Sequence, residues 1–148
     1  MSHTFPLTLT WSGSTSEPDY PRTAEVRNPG GAVAPVSAAP FSGGDPAKLN
    51  PEELLVAALA TCHMLFFLSL AAKVRLVVTR YEDHAEATLV TENKVSRIDE
   101  VVLAPVIRVA PGTSAAKVEE MFEKAHKYCI IANTVSCRVT LRPRVVEG

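Results

Sequence analysis

The chain has 148 residues, 47% hydrophobic and 21% charged, a size and mixture that fit one globular domain with a sizeable core. A net charge of −1 without any long Lys/Arg run excludes the electrostatic footprint of a nucleic-acid binder. Three cysteines are an odd number and MSHTFPLTLT lacks the charged and apolar regions of a secretion signal, so a reducing cytoplasm is expected rather than a secreted disulfide framework.

Phe5, Leu7, Leu9 and Trp11 alternate with polar neighbours, which predicts a half-buried strand ended by Ser12-Gly13-Ser14. The alternation continues through Tyr20–Arg27 and puts Arg22 on the apolar face with Tyr20, Ala24 and Val26. A snorkelling or paired structural cation is the plain account of that arginine. Asn28-Pro29-Gly30-Gly31 predicts a turn, and Ala32–Asp45, rich in Pro, Ala, Ser and Gly, an irregular approach to a central helix.

The stretch Asn50–Ala72 organises the chain. Asn50 is placed to be an N-cap, Pro51 fits the first helical position, Glu53 completes a capping box, and Glu52 and Glu53 sit at the positive end of the helix dipole. From Leu54 to Ala72 the only polar residues are Thr61, Cys62, His63 and Ser69, so the helix should be wrapped on every side. Its length also suits a bilayer. Cys62 and His63 at its middle and amphipathic strands on both sides favour a buried central helix over a membrane span.

After it, Val74–Tyr81 and His84–Glu92 alternate and predict an antiparallel pair, and a third strand is expected at about 100–109, with Pro105 at an edge or bulge. Thr113 or Ser114 should cap a second helix to about Tyr128. Its apolar stripe runs through Val118, Phe122 and Ala125 to Cys129, with Glu120/Lys124 and Glu123/Lys127 pairs outside. A last strand spans about 134–146. The resulting class is α+β, with helices against antiparallel sheet. One sheet covers one side of the long helix, so a homodimer with sheets wrapped outside paired central helices is the economical arrangement.

Cys62 lies mid-helix, where burial alone leaves a thiol inert, so a catalytic role requires an imported cation. Arg22 is the best candidate, and Glu52 is suited to hold its guanidinium by a bidentate bond. Glu52 and Cys62 stand ten positions apart on one helix, about 15 Å, so a carboxylate serving both would come from a second subunit. Cys129, at a helix C-terminus, is a poor attacking nucleophile and a reasonable resolving thiol; purely structural cysteines are the alternative. Cys137 is expected to be a core residue, His63 a hydrogen-bonded core histidine, and a zinc site from Cys62, His63, His126 and Cys129 lacks the usual ligand spacing.

Asn50-Pro51-Glu52-Glu53-Leu54-Leu55 followed by Cys62-His63-Met64, together with Ala125-His126-Lys127-Tyr128-Cys129 and Asn133, resembles the osmotically inducible protein C and organic hydroperoxide resistance (OsmC/Ohr) family. Tyr20-Pro21-Arg22 is similar to that family's N-terminal tyrosine-and-arginine stretch. The resemblance implies an intertwined homodimer and a metal-free, flavin-free thiol peroxidase for organic hydroperoxides. In that scheme Cys62 is the peroxidatic thiol, Cys129 the resolving thiol, Arg22 the activating cation and Glu52 its carboxylate partner. It further implies an external dithiol reductant of the lipoyl-protein kind. The chain departs from the family where Cys129-Ile130-Ile131-Ala132 replaces the common Cys-Pro run, which bears on how Cys129 is presented. The apolar residues Met64, Leu65, Phe66 and Phe67 favour alkyl or lipid peroxides over hydrogen peroxide. The reading from another class is a non-catalytic dimer of the same fold that binds a hydrophobic small molecule.

Overall fold

The computed structural model describes residues 1–148, which form two compact units, Met1–Leu54 and Leu55–Gly148. In the first, β1 (Thr8–Thr10), β2 (Thr23–Arg27) and β3 (Val33–Ser37) make an antiparallel sheet in the order β1-β2-β3. The alternation at Phe5–Trp11 yields only three paired residues, and Phe5, Leu7 and Leu9 are exposed in the chain. Arg22 precedes β2 rather than lying on a strand face. The stretch expected to be irregular contains β3 and a 3₁₀ turn at Pro40–Ser42, because Pro35 pairs only through its carbonyl and the Gly43 C-cap takes up φ 78°.

Helix α1 (Pro51–Lys73) starts where its capping residues dictate. The Glu53 amide donates to Asn50 Oδ1 at 2.9 Å and the Asn50 amide to the Glu53 carboxylate at 3.1 Å, the reciprocal capping box. The helix is apolar all round, yet the chain fully buries only one stripe of it, Leu59, His63, Phe67 and Ala71. Leu65 remains 57% exposed. The expectation of a helix buried on every side is therefore not met within a single chain.

In the second unit β4 (Val78–Asp83), β5 (Glu86–Glu92), β6 (Val95–Leu103) and β7 (Pro105–Val109) precede α2 (Ala115–Tyr128), and β8 (Arg138–Leu141) and β9 (Arg144–Glu147) follow it. β4 and β5 do not pair with each other. β4 pairs with β7 in the sheet β4-β7-β9, and β5 with β6 in the sheet β5-β6-β8. The tight connection between β5 and β6 is Asn93-Lys94, both at positive φ, the backbone of a two-residue hairpin turn. Prolines cause the remaining differences. Pro105 and Pro143 carry no amide hydrogen, so the strands expected at 100–109 and 134–146 each break in two and pass from one sheet to the other. The freed Ala104 amide donates to Asp83 Oδ1 at 2.8 Å. The paired breaks also correct the expected sheet type: β6 runs parallel to β8 and β7 parallel to β9, so both sheets are mixed rather than antiparallel.

The core divides along α1. Leu59 joins Val101, Leu103 and Cys129, whereas Phe67 and Ala71 join Ile107, Val109 and the inner face of α2, namely Val118, Met121, Phe122 and Ala125. Ser114 caps α2 by accepting from the Lys117 amide. Lys117 also takes Glu120 at 3.0 Å, which leaves the expected Glu120–Lys124 pair unformed, and no Glu123–Lys127 pair is present either. The class is α+β, as expected, with three three-stranded sheets and two α-helices.

Candidate functional site

The second unit brings two of the predicted residues together. Cys62 sits halfway along α1 and Cys129 is the C-cap of α2, and their thiols, both free, are neighbours in one hydrophobic cluster. Cys129 is fully buried and Cys62 half-buried, so the two differ in access. Burial pushes the Cys129 thiol up to about 11 and the neighbouring Cys62 adds to the rise, while the Ala132 amide, 3.4 Å from Cys129 Sγ, pulls the other way. Cys129 is therefore protonated at neutral pH. The loop after it is held without the Cys-Pro run: the Asn133 amide donates to the Cys129 carbonyl, and Asn133 Nδ2 reaches the carbonyls of Lys127 and Cys129, each at 3.0 Å. Cys137 is partly buried against the same cluster and, like the other two, unbridged.

Beside the thiols stands a second rung between the helices. His63 is wholly buried, its ring 4.3 Å from Phe122 and 5.8 Å from His126. The expected hydrogen bond is missing: neither His63 nitrogen has a partner, nor does His126 Nδ1, and the Phe122 ring beside His63 offers none. Burial, with the second imidazole adding to it, holds His63 down at about 4 instead of its ordinary 6.5. The unfolded chain then binds a proton at His63 that the folded chain refuses between those two values. The contribution is fully present above pH 6.5, falls as pH drops toward 4, and amounts to a loss of up to about 3 kcal/mol. Urea midpoints measured from pH 7.5 to 4.5 should fall steeply for the wild type and less steeply for His63→Leu; equal slopes would remove His63 as the cause. No group of three or more His, Cys, Asp or Glu side chains is placed to hold a metal.

The first unit holds the other two predicted residues. The Arg22 carbonyl accepts from the Ala38 amide at 3.0 Å and from Ser37 Oγ at 3.1 Å, which fixes its backbone. Its guanidinium lies over the Tyr20 ring, 4.4 Å from the centroid, and donates to the Tyr20 hydroxyl at 2.9 Å. Gly43 closes the other side, where a Cβ would stand 3.1 Å from Arg22 Nε. Trp11 braces the arrangement edge-on to Tyr20 and donates from Nε1 to the Pro21 carbonyl at 2.7 Å. Trp11, Tyr20, Pro21 and Arg22 line a cleft of about 430 Å³. Arg22 meets no carboxylate in the chain, and Glu52 Oε2 is buried without a hydrogen-bond partner. Trp11 and Gly43 carry no signal in the sequence beyond an alternating strand and a glycine-rich turn, since their role exists only once the sheet has brought them to Arg22.

No curated protein sequence matches the chain. Among solved structures, an OsmC-like protein of unknown function from Vibrio cholerae O1 is 34% identical, with a TM-score of 0.87 over 96% of this chain and 99% of that one. An organic hydroperoxide resistance protein from Elizabethkingia anophelis is 20% identical, with a TM-score of 0.74 over 100% of this chain and 99% of that one. The organic hydroperoxide resistance protein OhrB of Bacillus subtilis is 17% identical, with a TM-score of 0.67 over 97% of this chain and 98% of that one. At those last two identities the likeness is one of fold. The OsmC-like protein family matches residues 43–144, a span that takes in both thiols and the capped start of α1, and the chain belongs to that family.

Proposed function

We propose that the chain is a thiol peroxidase that reduces organic hydroperoxides, with Cys62 as the peroxidatic and Cys129 as the resolving thiol. The observation that carries the reading is the pair of free, neighbouring thiols contributed by two different helices to one cluster, one half-buried and the other fully buried and held protonated. The Cys62 thiolate attacks the distal peroxide oxygen; an S–O bond forms, the O–O bond breaks, and the departing alkoxide takes a proton to become the alcohol. The Cys129 thiol then attacks the Cys62 sulfenic acid, and its proton leaves with the sulfenic hydroxyl as water while the disulfide forms. A resolving thiol that keeps its proton until this step suits that balance. An external dithiol returns both cysteines to thiols and is itself oxidised to a disulfide; a lipoyl protein is one such reductant.

Arg22 supplies the positive charge for the Cys62 thiolate in this scheme, and Glu52 from a second copy of the chain supplies the carboxylate for Arg22. The unpartnered Glu52 oxygen and an arginine with no carboxylate partner support that division. The uncovered apolar faces of α1 support a homodimer. Light scattering at micromolar concentration should give twice the chain mass of 15.9 kDa, and a monomeric mass would count against a shared site. Turnover is tested by following consumption of cumene hydroperoxide and hydrogen peroxide with a small dithiol. The organic peroxide should be consumed faster; equal or absent consumption would overturn the substrate class.

A further inference from the structure

The outer face of the sheet β4-β7-β9 carries a cluster of cations that the thiol chemistry does not use. The inner face, through Val78, Tyr81, Ile107, Val109 and Val145, packs into the core with α2. On β7, Val106 and Arg108 alternate with those core residues and so face outward, and Arg144 of β9 stands level with Val106 in the parallel register. Strand β4 reaches the same face through a bulge. Val78 pairs with Val109 and Arg80 with Arg108, which leaves Thr79 as the extra residue, and its hydroxyl donates to the Arg108 carbonyl at 3.3 Å. In an unbroken strand Arg80 would share the inward face of Val78. The bulge turns it outward, directly opposite Arg108.

Like charges set opposite each other on neighbouring strands destabilise a sheet, so folding alone does not favour this pair. Nor do the neighbours neutralise it. Glu82 is the one carboxylate of the lining; it accepts from Arg80 at 2.5 Å and faces His84 at 3.4 Å. The hydrogen bond from Arg80 holds that carboxyl below its ordinary range, so it is already ionised and still outnumbered. Arg108 and Arg144 are exposed and form no ion pair. With Val106 and His84 these residues enclose a polar depression of about 370 Å³, within the range of small-molecule sites, about 300–1,000 Å³. Neighbouring strands lie about 4.8 Å apart, so the three arginines spring from a band roughly 10 Å wide and can meet on one small ligand. A guanidinium fork matches two oxygens of a phosphoryl group, and the only aliphatic wall is Val106. A compact polyanion fits this lining; an alkyl chain finds little to lie against.

We propose that the outer face of the β4-β7-β9 sheet is a phosphoryl-binding site, in which Arg108 and Arg144 hold the oxyanion of a small phosphorylated ligand and Arg80, shared with Glu82, completes the rim. Neither thiol belongs to it, so it stands apart from the peroxidase reading. Inorganic pyrophosphate is the probe, in calorimetry with the reduced protein at fixed ionic strength. The wild type should bind it saturably, and Arg108→Gln/Arg144→Gln should weaken binding by about tenfold or more, the scale of lost charge-assisted hydrogen bonds. Arg144→Gln alone, which leaves the Arg80–Arg108 pair in place, should weaken it severalfold. Thermal melting separates binding from damage to the fold. Without the probe the double variant should melt no lower than the wild type, because the like-charge repulsion is relieved, and pyrophosphate should raise the midpoint of the wild type only. Absence of pyrophosphate binding to the wild type, or binding that both variants retain, would overturn the site. Binding of poly-glutamate without binding of pyrophosphate would overturn it as well, in favour of an acidic polypeptide as the occupant.

Discussion

Replacing Cys62 by Ser is expected to abolish organic hydroperoxide reduction, by on the order of 10³-fold or more, because the attacking sulfur is lost and neither remaining cysteine has its access to solvent and its neighbouring thiol together. Cys129 is fully buried and protonated at neutral pH, and Cys137 is partly buried against the same cluster. Cys129→Ser should behave differently. It removes only the second step, so that chain should consume about one equivalent of peroxide and then stall with an oxidised Cys62. Rapid-mixing experiments with and without dithiol distinguish the two variants. Sustained turnover by Cys62→Ser would show that the reacting group is elsewhere.

The second large effect concerns the arginine. Arg22→Met keeps much of the length of the side chain and removes its charge, and oxidation of the thiol should slow on the order of 10²-fold, the scale on which a neighbouring cation changes the thiolate fraction. The structure makes the substitution a clean one. The backbone of Arg22 is fixed by Ala38 and Ser37 and does not depend on the guanidinium, so the sheet of the first unit should persist. Circular dichroism should therefore match the wild type while the single-turnover rate falls. An unchanged rate would take Arg22 out of the mechanism and return it to a structural role over Tyr20.

The start of α1 is written locally, in Asn50, Pro51 and Glu53, and the structure realises it as two reciprocal hydrogen bonds. Helical spacing alone places Cys129 on the inner side of α2, and it is buried there. Sheet pairing is not legible in the same way, because alternation says that a segment is a strand but not which segment it meets. Two prolines decide it, Pro105 as the first residue of β7 and Pro143 between β8 and β9, each where the chain passes from one sheet to another, so that the single strand expected at 100–109 is β6 and β7. The Asn93-Lys94 turn is hidden for a related reason: a lysine in the left-handed region gives none of the signal that a glycine would. His63 departs from expectation because a buried imidazole is ordinarily hydrogen-bonded, and here the neighbours on α2 are Phe122 and a second imidazole, His126. Arg22 stands out in the sequence, but its aromatic brace of Trp11 and Tyr20 is a tertiary arrangement that no local pattern announces.

The central claim is that the two neighbouring thiols form one redox unit, and peptide mapping tests it most directly. The reduced protein is treated with one equivalent of cumene hydroperoxide, quenched with an alkylating agent, digested and analysed by mass spectrometry. The account predicts a Cys62–Cys129 disulfide in most chains, with Cys137 alkylated. Three alkylated cysteines and unconsumed peroxide would contradict it and favour a fold that only binds its hydrophobic ligand.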